Sequence, residues 1–399
     1  MADEKDRDNA LPFPVPERWV RSYEAFAYQL ARERSEAVGI VARLLRETPR
    51  KDIPTLAEHP ELQTFGAHER LISTASAELT RDPQYALLLA QLAVSLSERL
   101  PIDGHHDVTR TQARAYAWKE VGKTLSFLGR QEEALEAFET ARAEIEDNGL
   151  LAHARAIIRL NLSITYQEMG RYDEAGPILA ECKEVFRHHG DTRMFILAGL
   201  YEGHLLQRLR LYRQAREVYL LLLTSNPGID PDHLAALHNA IGFCSIELGD
   251  YDDAEHHLTT TVNIHKQLRQ PLDSARAEQG LGRLLMRRGL HHDGVAHLRP
   301  VRHQFLKHSL AEEAGLCGLD MVEGMLLAGE PAKAETLART ITNEFLAAGL
   351  SSRAVTALGY LSEAISTRQA SAETAAEVRE YVLSLRTTPE RELPSLLQS

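Results

Sequence analysis

The chain has 399 residues, with 45 Lys and Arg against 57 Asp and Glu, so its formal charge at pH 7 is −12. That balance disfavours nonspecific attachment to nucleic acid or to an anionic membrane, because both demand a basic surface. A hydrophobic content of 44% is too high for a disordered chain, and Ala, Leu, Glu and Arg, all strong helix formers, dominate the composition.

Residues 1–16 are charged and then interrupted by Pro12, Pro14 and Pro16. They read as a flexible arm, without the apolar run or cleavage signature of a secretory leader. Residues 17–62 read as an N-terminal helical cap. Trp19, Tyr23, Phe26 and Leu30 recur at helical spacing, and Val38, Val41 and Leu45 continue the apolar stripe. Such a stripe either covers the exposed apolar face of the first hairpin or serves as a docking or dimerising surface. Pro49, Pro54 and Pro60 then break the pattern.

Residues 63–386 repeat. Counting Ala115 as position 1, the segment from Ala115 to Ala141 has Trp118 at position 4, Val121 at 7, Gly122 at 8 and Leu125 at 11. Gly129 follows at 15, Ala134 at 20, Phe138 at 24 and Ala141 at 27. Positions 4, 7, 8 and 11 share one face of a first helix. Small residues at 8 and 20 allow a second, antiparallel helix to approach closely, and the residues at 24 and 27 fill the gap between them. Copies of this hairpin begin near residues 67, 115, 156, 196, 235, 275 and 315, and a terminal capping pair follows near 352–386. Residues 387–399 read as a flexible tail. Glycine at position 15, as in Gly170, Gly249 and Gly289, suits the left-handed turn that closes a helix.

This pattern resembles the tetratricopeptide repeat at nearly every diagnostic position. The period of about 40 residues exceeds the usual 34. In this it is similar to the repeats of kinesin light chains, of sensor regions in bacterial regulators and of quorum-sensing peptide receptors. The run from Leu237 to Glu255 resembles a large group of bacterial tetratricopeptide proteins. The resemblance implies an all-α fold, a right-handed superhelical solenoid of about seven hairpins with capping helices at both ends.

Several motifs resolve into this frame. Ala117-x4-Gly122-Lys123-Thr124 satisfies a permissive P-loop pattern, but the residues before it are polar and the motif falls in mid-helix, where its amides are already bonded. The histidine pairs at 105–106, 188–189, 256–257 and 291–292 diverge by about 100° on a helix and cannot chelate from one face. Cys182, Cys244 and Cys317 are too widely spaced for a zinc knuckle, and they suit a reducing compartment. The reading is therefore of a cytoplasmic protein that is not an enzyme, with no cofactor and no metal. No apolar run approaches the roughly 18 residues needed to cross a bilayer.

The first helices of such an array line its groove. Positions 2, 5, 9 and 12, with their neighbours, place Lys119, Lys123, Asn161, His204, Asn239, Phe243, Arg276, Arg283 and Arg287 there. Asn161 and Asn239 match asparagines that in related arrays grip a peptide backbone. The expected function is a scaffold or regulatory adaptor holding a peptide segment or partner protein, of acidic character to suit the lysines and arginines, with no direct nucleic-acid or membrane contact. The alternative is a peptide- or ligand-gated bacterial regulator of the quorum-sensing receptor type. Oligomeric state is left open.

Overall fold

A computed structural model describes residues 17–100, 107–146, 149–226, 228–385 and 391–392. The arm at 1–16, nearly all of the tail at 387–399 and the pair His105–His106 lie outside the described residues, as do the side chains of Trp19 and Tyr23. The described residues hold helices and turns and no strand. The chain divides into two compact units, Met1–Asn161 and Leu162–Ser399.

The first unit opens with α1 (Glu17–Glu47), followed by α2 (Phe65–Glu78) and α3 (Pro83–Ser97), then α4 (Asp107–Phe127) and α5 (Gln131–Ile145). The division falls within α6 (Ala152–Glu168). α1 lies against α2. The Phe26 and Phe65 rings meet edge to face at 6.4 Å. Gly66 sits so close to α1 that a Cβ there would come within 2.6 Å of the Arg34 backbone nitrogen. The buried stripe of α1 is Ala37, Val41 and Leu44; Val41 is buried as expected, Val38 is exposed and Leu45 half-buried, and Ala37 and Leu44 take their places.

The second unit contains α7 (Tyr172–His188), α8 (Thr192–Arg208), α9 (Tyr212–Ser225), α10 (Pro231–Leu248), α11 (Tyr251–Gln267), α12 (Pro271–Arg287), α13 (His291–Lys307), α14 (Ala311–Leu327), α15 (Pro331–Ala347), α16 (Ser352–Ser366) and α17 (Ala372–Ser384). From α7 to α16 each helix packs on the next in sequence. This is the nearest-neighbour stacking of a repeat array.

Local chemistry sets the helix ends. Asp191 and Asp230 accept hydrogen bonds from the backbone N–H groups of Met194 and His233, which caps α8 and α10. At the other end, Gly249 takes φ +80° and Asp250 N–H donates to Ser245 O at 2.8 Å. That bond closes a Schellman turn. Arg210 holds the equivalent place in the α8–α9 hairpin, with φ +59° and the same bond from Leu211 N–H to Leu206 O.

In four hairpins the close contact joins position 8 to position 24. A Cβ on Gly122 would come within 2.8 Å of the Phe138 ring, one on Gly242 within 2.8 Å of Leu258, and one on Gly282 within 2.5 Å of Leu298. Gly203 lies under the ring of Tyr219 in the same way. In the α14–α15 hairpin the sizes are reversed, with Val322 and Ala338 at those positions, both fully buried. Cys182, Cys244 and Cys317 are all free thiols and all buried.

α17 departs from the pattern. It packs mainly on α14 rather than on its sequence neighbour α16. It buries Ala375, Val378, Tyr381 and Val382 in the apolar cluster that begins at Ala275 and Met286 of α12 and runs through α13 to α16.

Candidate functional site

The second unit contains a cleft of about 570 Å³, walled by one face of four successive first helices. α8 contributes His204 and Gln207, and α10 contributes Asn239, Phe243 and Glu247. α12 adds Arg276, Gln279 and Arg283, while α14 adds Glu313, Leu316 and Asp320. Arg379 and Leu383 of α17 complete the wall.

Five of the nine expected residues, His204, Asn239, Phe243, Arg276 and Arg283, therefore meet in one cleft. Asn239 is exposed, and its amide presents a donor and an acceptor. Phe243 is half-buried and leans edge-on against Tyr212 at 6.1 Å. His204 stands between the Tyr201 and Tyr219 rings, at 5.9 and 6.1 Å. The protein crowded around it lowers its pKa, though one side stays open to the cleft. Gln207 is anchored below the surface, where its Nε2 donates to Cys244 Sγ at 3.2 Å.

The other four fall elsewhere. Arg287 lines a second cleft of about 350 Å³, together with Arg283, Glu323 and Arg379. Lys119, Lys123 and Asn161 belong to the first unit. Lys119 and Lys123 bracket the buried carboxylate of Glu120 at 3.2 and 2.7 Å, and Lys123 also donates to Ser76 Oγ at 2.6 Å. Asn161 Nδ2 donates to Ile157 O, one turn back in its own helix, at 2.8 Å.

The charge pattern differs from the expectation of a basic groove. Every expected cation has an acidic neighbour in the chain. Arg276 pairs with Asp273 at 2.7 Å and faces Glu313 at 3.6 Å, Arg283 faces Asp320 at 3.8 Å, and Arg287 faces Glu247 at 3.9 Å. Asp320 and Glu120 sit at repeat position 6, and Glu247 sits at position 13. A helix of 3.6 residues per turn places both positions beside the 2, 5, 9, 12 row, so the row alone omits the carboxylates.

Asp320 is the main residue that the sequence reading missed. It is fully buried, accepts from Gln279 Nε2 at 2.6 Å and pairs with Arg379 of α17. Glu323, one turn further on, also faces Arg379, at 3.5 Å, and burial raises its pKa. The available signal was a lone aspartate within the apolar run from Leu316 to Val322, where a buried charge needs a partner.

Elsewhere, His238 and His257 on the α10–α11 hairpin bring their Nδ1 atoms to 2.8 Å, and burial lowers both pKa values. Two neutral imidazoles suit this contact, one donating and one accepting. Among the described residues no group of three or more His, Cys, Asp or Glu is placed to hold a metal ion. Nor is any described helix long and apolar enough to cross a membrane. Gly122, Lys123 and Thr124 lie inside α4, with Thr124 Oγ1 donating to Glu120 O at 2.8 Å.

No family model matches the chain, and no curated protein sequence matches it. Solved structures do. A signal-transduction ATPase with numerous domains from Pyrococcus horikoshii, which carries a tetratricopeptide repeat sensor, is 13% identical with a TM-score of 0.57, covering 90% of this chain and 53% of that one. This chain thus spans about half the length of that protein. The fold is a tetratricopeptide repeat array. The apo form of RapI shares the architecture at 15% identity and a TM-score of 0.52, covering 69% of this chain and 99% of that one. Aspartyl phosphate phosphatase F from Bacillus subtilis does so at 11% identity and 0.54, covering 77% of this chain and 79% of that one. In the tetratricopeptide frame, the cleft occupies the first-helix face of the four consecutive hairpins that begin with α8.

Proposed function

We propose that this chain is an interaction scaffold, and that the cleft in its second unit holds a peptide segment of a partner protein. The supporting observation is the cleft wall. The first helices of two consecutive hairpins, α8 and α10, present an open imidazole (His204), an exposed amide (Asn239) and a half-buried aromatic ring (Phe243) to one cleft. An amide can bond both sides of a peptide unit, and an aromatic side chain gives a large contact area at small entropic cost. The cleft volume falls within the range of roughly 300–1,000 Å³ common for ligand sites. Because Arg276 and Arg283 are already paired, an acidic residue of the partner would gain by replacing Glu313 at Arg276 rather than by meeting an open charge.

The test is capture from lysate on the immobilised chain, followed by affinity measurement on the partner identified by mass spectrometry. Phe243→Ala and Asn239→Ala should each weaken binding by roughly 1–2 kcal/mol, up to about thirtyfold. Unchanged affinity in both variants would remove the cleft as the site.

One observation favours the gated-regulator reading as well. α17 forms part of the cleft wall, so an occupant touches an element that stands outside the hairpin stack. Under that reading, binding changes amide exchange in α17.

A further inference from the structure

We infer that the inner face of α14 is a docking site for an amphipathic helix bearing one arginine among apolar residues, and that α17 is the chain's own occupant of it. The inference rests on the groove reading above and specifies what chemistry the C-terminal part of the groove accepts.

Three observations carry it. First, α17 borders the groove along its length. Ala372, Ala376 and Arg379 line the 350 Å³ cleft, Arg379 and Leu383 line the 570 Å³ cleft, and these four positions share one face of the helix. Second, the contact has the chemistry of a recognition site. Asp320 is fully buried, prepared by Gln279 and Arg283, and receives the Arg379 guanidinium, with Glu323 at 3.5 Å. A buried carboxylate in the middle of an apolar helix is costly without its cation, so the site selects for an arginine at one place along the incoming helix. Val378, Tyr381 and Val382 supply the apolar flanks.

Third, α17 is tethered so that it can leave. It follows a short connection in which Arg368 takes the same left-handed turn, φ +63°, that Arg210 takes between α8 and α9. Ser371 and Thr374 form a capping box that satisfies the helix start from within α17 itself. Its contact with α16 is the smaller one, so release need not open the hairpin stack. A tethered occupant acts at an effective concentration in the millimolar range, which holds a weak site closed until a better helix arrives.

The test uses the full-length chain and a fluorescent synthetic peptide of residues 371–385. Peptide anisotropy should show weak binding to the parent chain. Binding to an Arg379→Glu chain, whose own α17 no longer pairs with Asp320, should be roughly tenfold tighter or more. A peptide carrying Arg379→Glu should bind neither chain. Equal binding of the unmodified peptide to parent and variant, or to neither, overturns the proposal. Hydrogen exchange on the parent chain supplies a check that requires no variant: α17 amides should exchange ahead of those in α14–α16. Exchange of α17 only with global unfolding overturns the proposal as well. A Phe243→Ala chain, impaired at the other end of the cleft, should treat the peptide as the parent does. Failure of the peptide experiment therefore leaves the cleft assignment standing, and failure of the cleft assignment leaves this site testable.

Discussion

Replacing Gly242 by Val tests the packing rule on which the whole array depends. A Cβ at Gly242 would stand 2.8 Å from Leu258 Cγ and 3.0 Å from Cδ2. Comfortable carbon contacts are about 3.5–4.0 Å, so the Leu258 side chain must move. Its Cδ2 already fills the space left by the missing side chain of Gly280, 3.1 Å from where a Cβ there would be, so it packs against that backbone. Gly242→Val alone should therefore cost about 1–3 kcal/mol through overpacking. Leu258→Ala alone leaves a void beneath a fully packed helix and should cost about 2–5 kcal/mol. Together the two changes recreate the Val322 and Ala338 arrangement of the α14–α15 hairpin, where both residues are fully buried. The double variant should be less destabilised than the sum of the singles by about 1–3 kcal/mol. A repeat array opens locally, so amide exchange in α10 and α11 should be followed alongside urea denaturation. Additivity within about 0.5 kcal/mol would mean that positions 8 and 24 do not meet as described.

At the start of the array, Gly66→Ala should lift α1 from α2, because backbone rather than a movable side chain lies in the way. A loss of about 1–3 kcal/mol with increased binding of a hydrophobic dye is expected, and an unchanged melting temperature would contradict the α1–α2 contact. Arg210→Gly should stabilise the chain by about 0.5–1 kcal/mol, since it removes left-handed strain at φ +59° while giving back some unfolded-state entropy; a lower melting temperature would show that the arginine side chain contributes more than the strain. His68 is buried, and burial lowers its pKa to about 4, so its contribution is whole above pH 6.5 and disappears as pH falls toward 4. At pH 5 that loss is about 2 kcal/mol, and a His68→Leu chain should show a flatter urea midpoint between pH 7 and pH 5 than the parent.

The parts of the fold that obey a short-range rule were legible in the sequence. Gly242 opposite Leu258 and Gly129 in a left-handed turn are local consequences of side-chain size and backbone freedom, and each recurs about every 40 residues. Arg210 occupies the glycine position of the turn without being glycine, since the two flanking helices dictate the backbone there. The site was legible only in part. Asn239, Phe243 and Arg283 followed from helical periodicity. The pairing of each cation did not, because Asp320, Glu313 and Glu247 approach from neighbouring rows or from another helix. The fold-back of α17 onto α14 joins residues 59 apart, Asp320 and Arg379, and no repeat period specifies that distance. Lys119 and Lys123 look like groove cations in a linear reading, yet they neutralise Glu120 within the same helix.

The buried thiols provide a built-in stopwatch. Cys182, Cys244 and Cys317 lie in α7, α10 and α14, one in each of three separate hairpins of the second unit. A thiolate reacts only when solvent and reagent reach it, and burial raises the pKa of Cys244 as well as shielding it. Alkylation of the unmodified chain, quenched at intervals and mapped by mass, would therefore time-stamp the opening of each hairpin from its own sulfur. The order of the three reactions would reveal from which end the second unit comes apart, without a single engineered label.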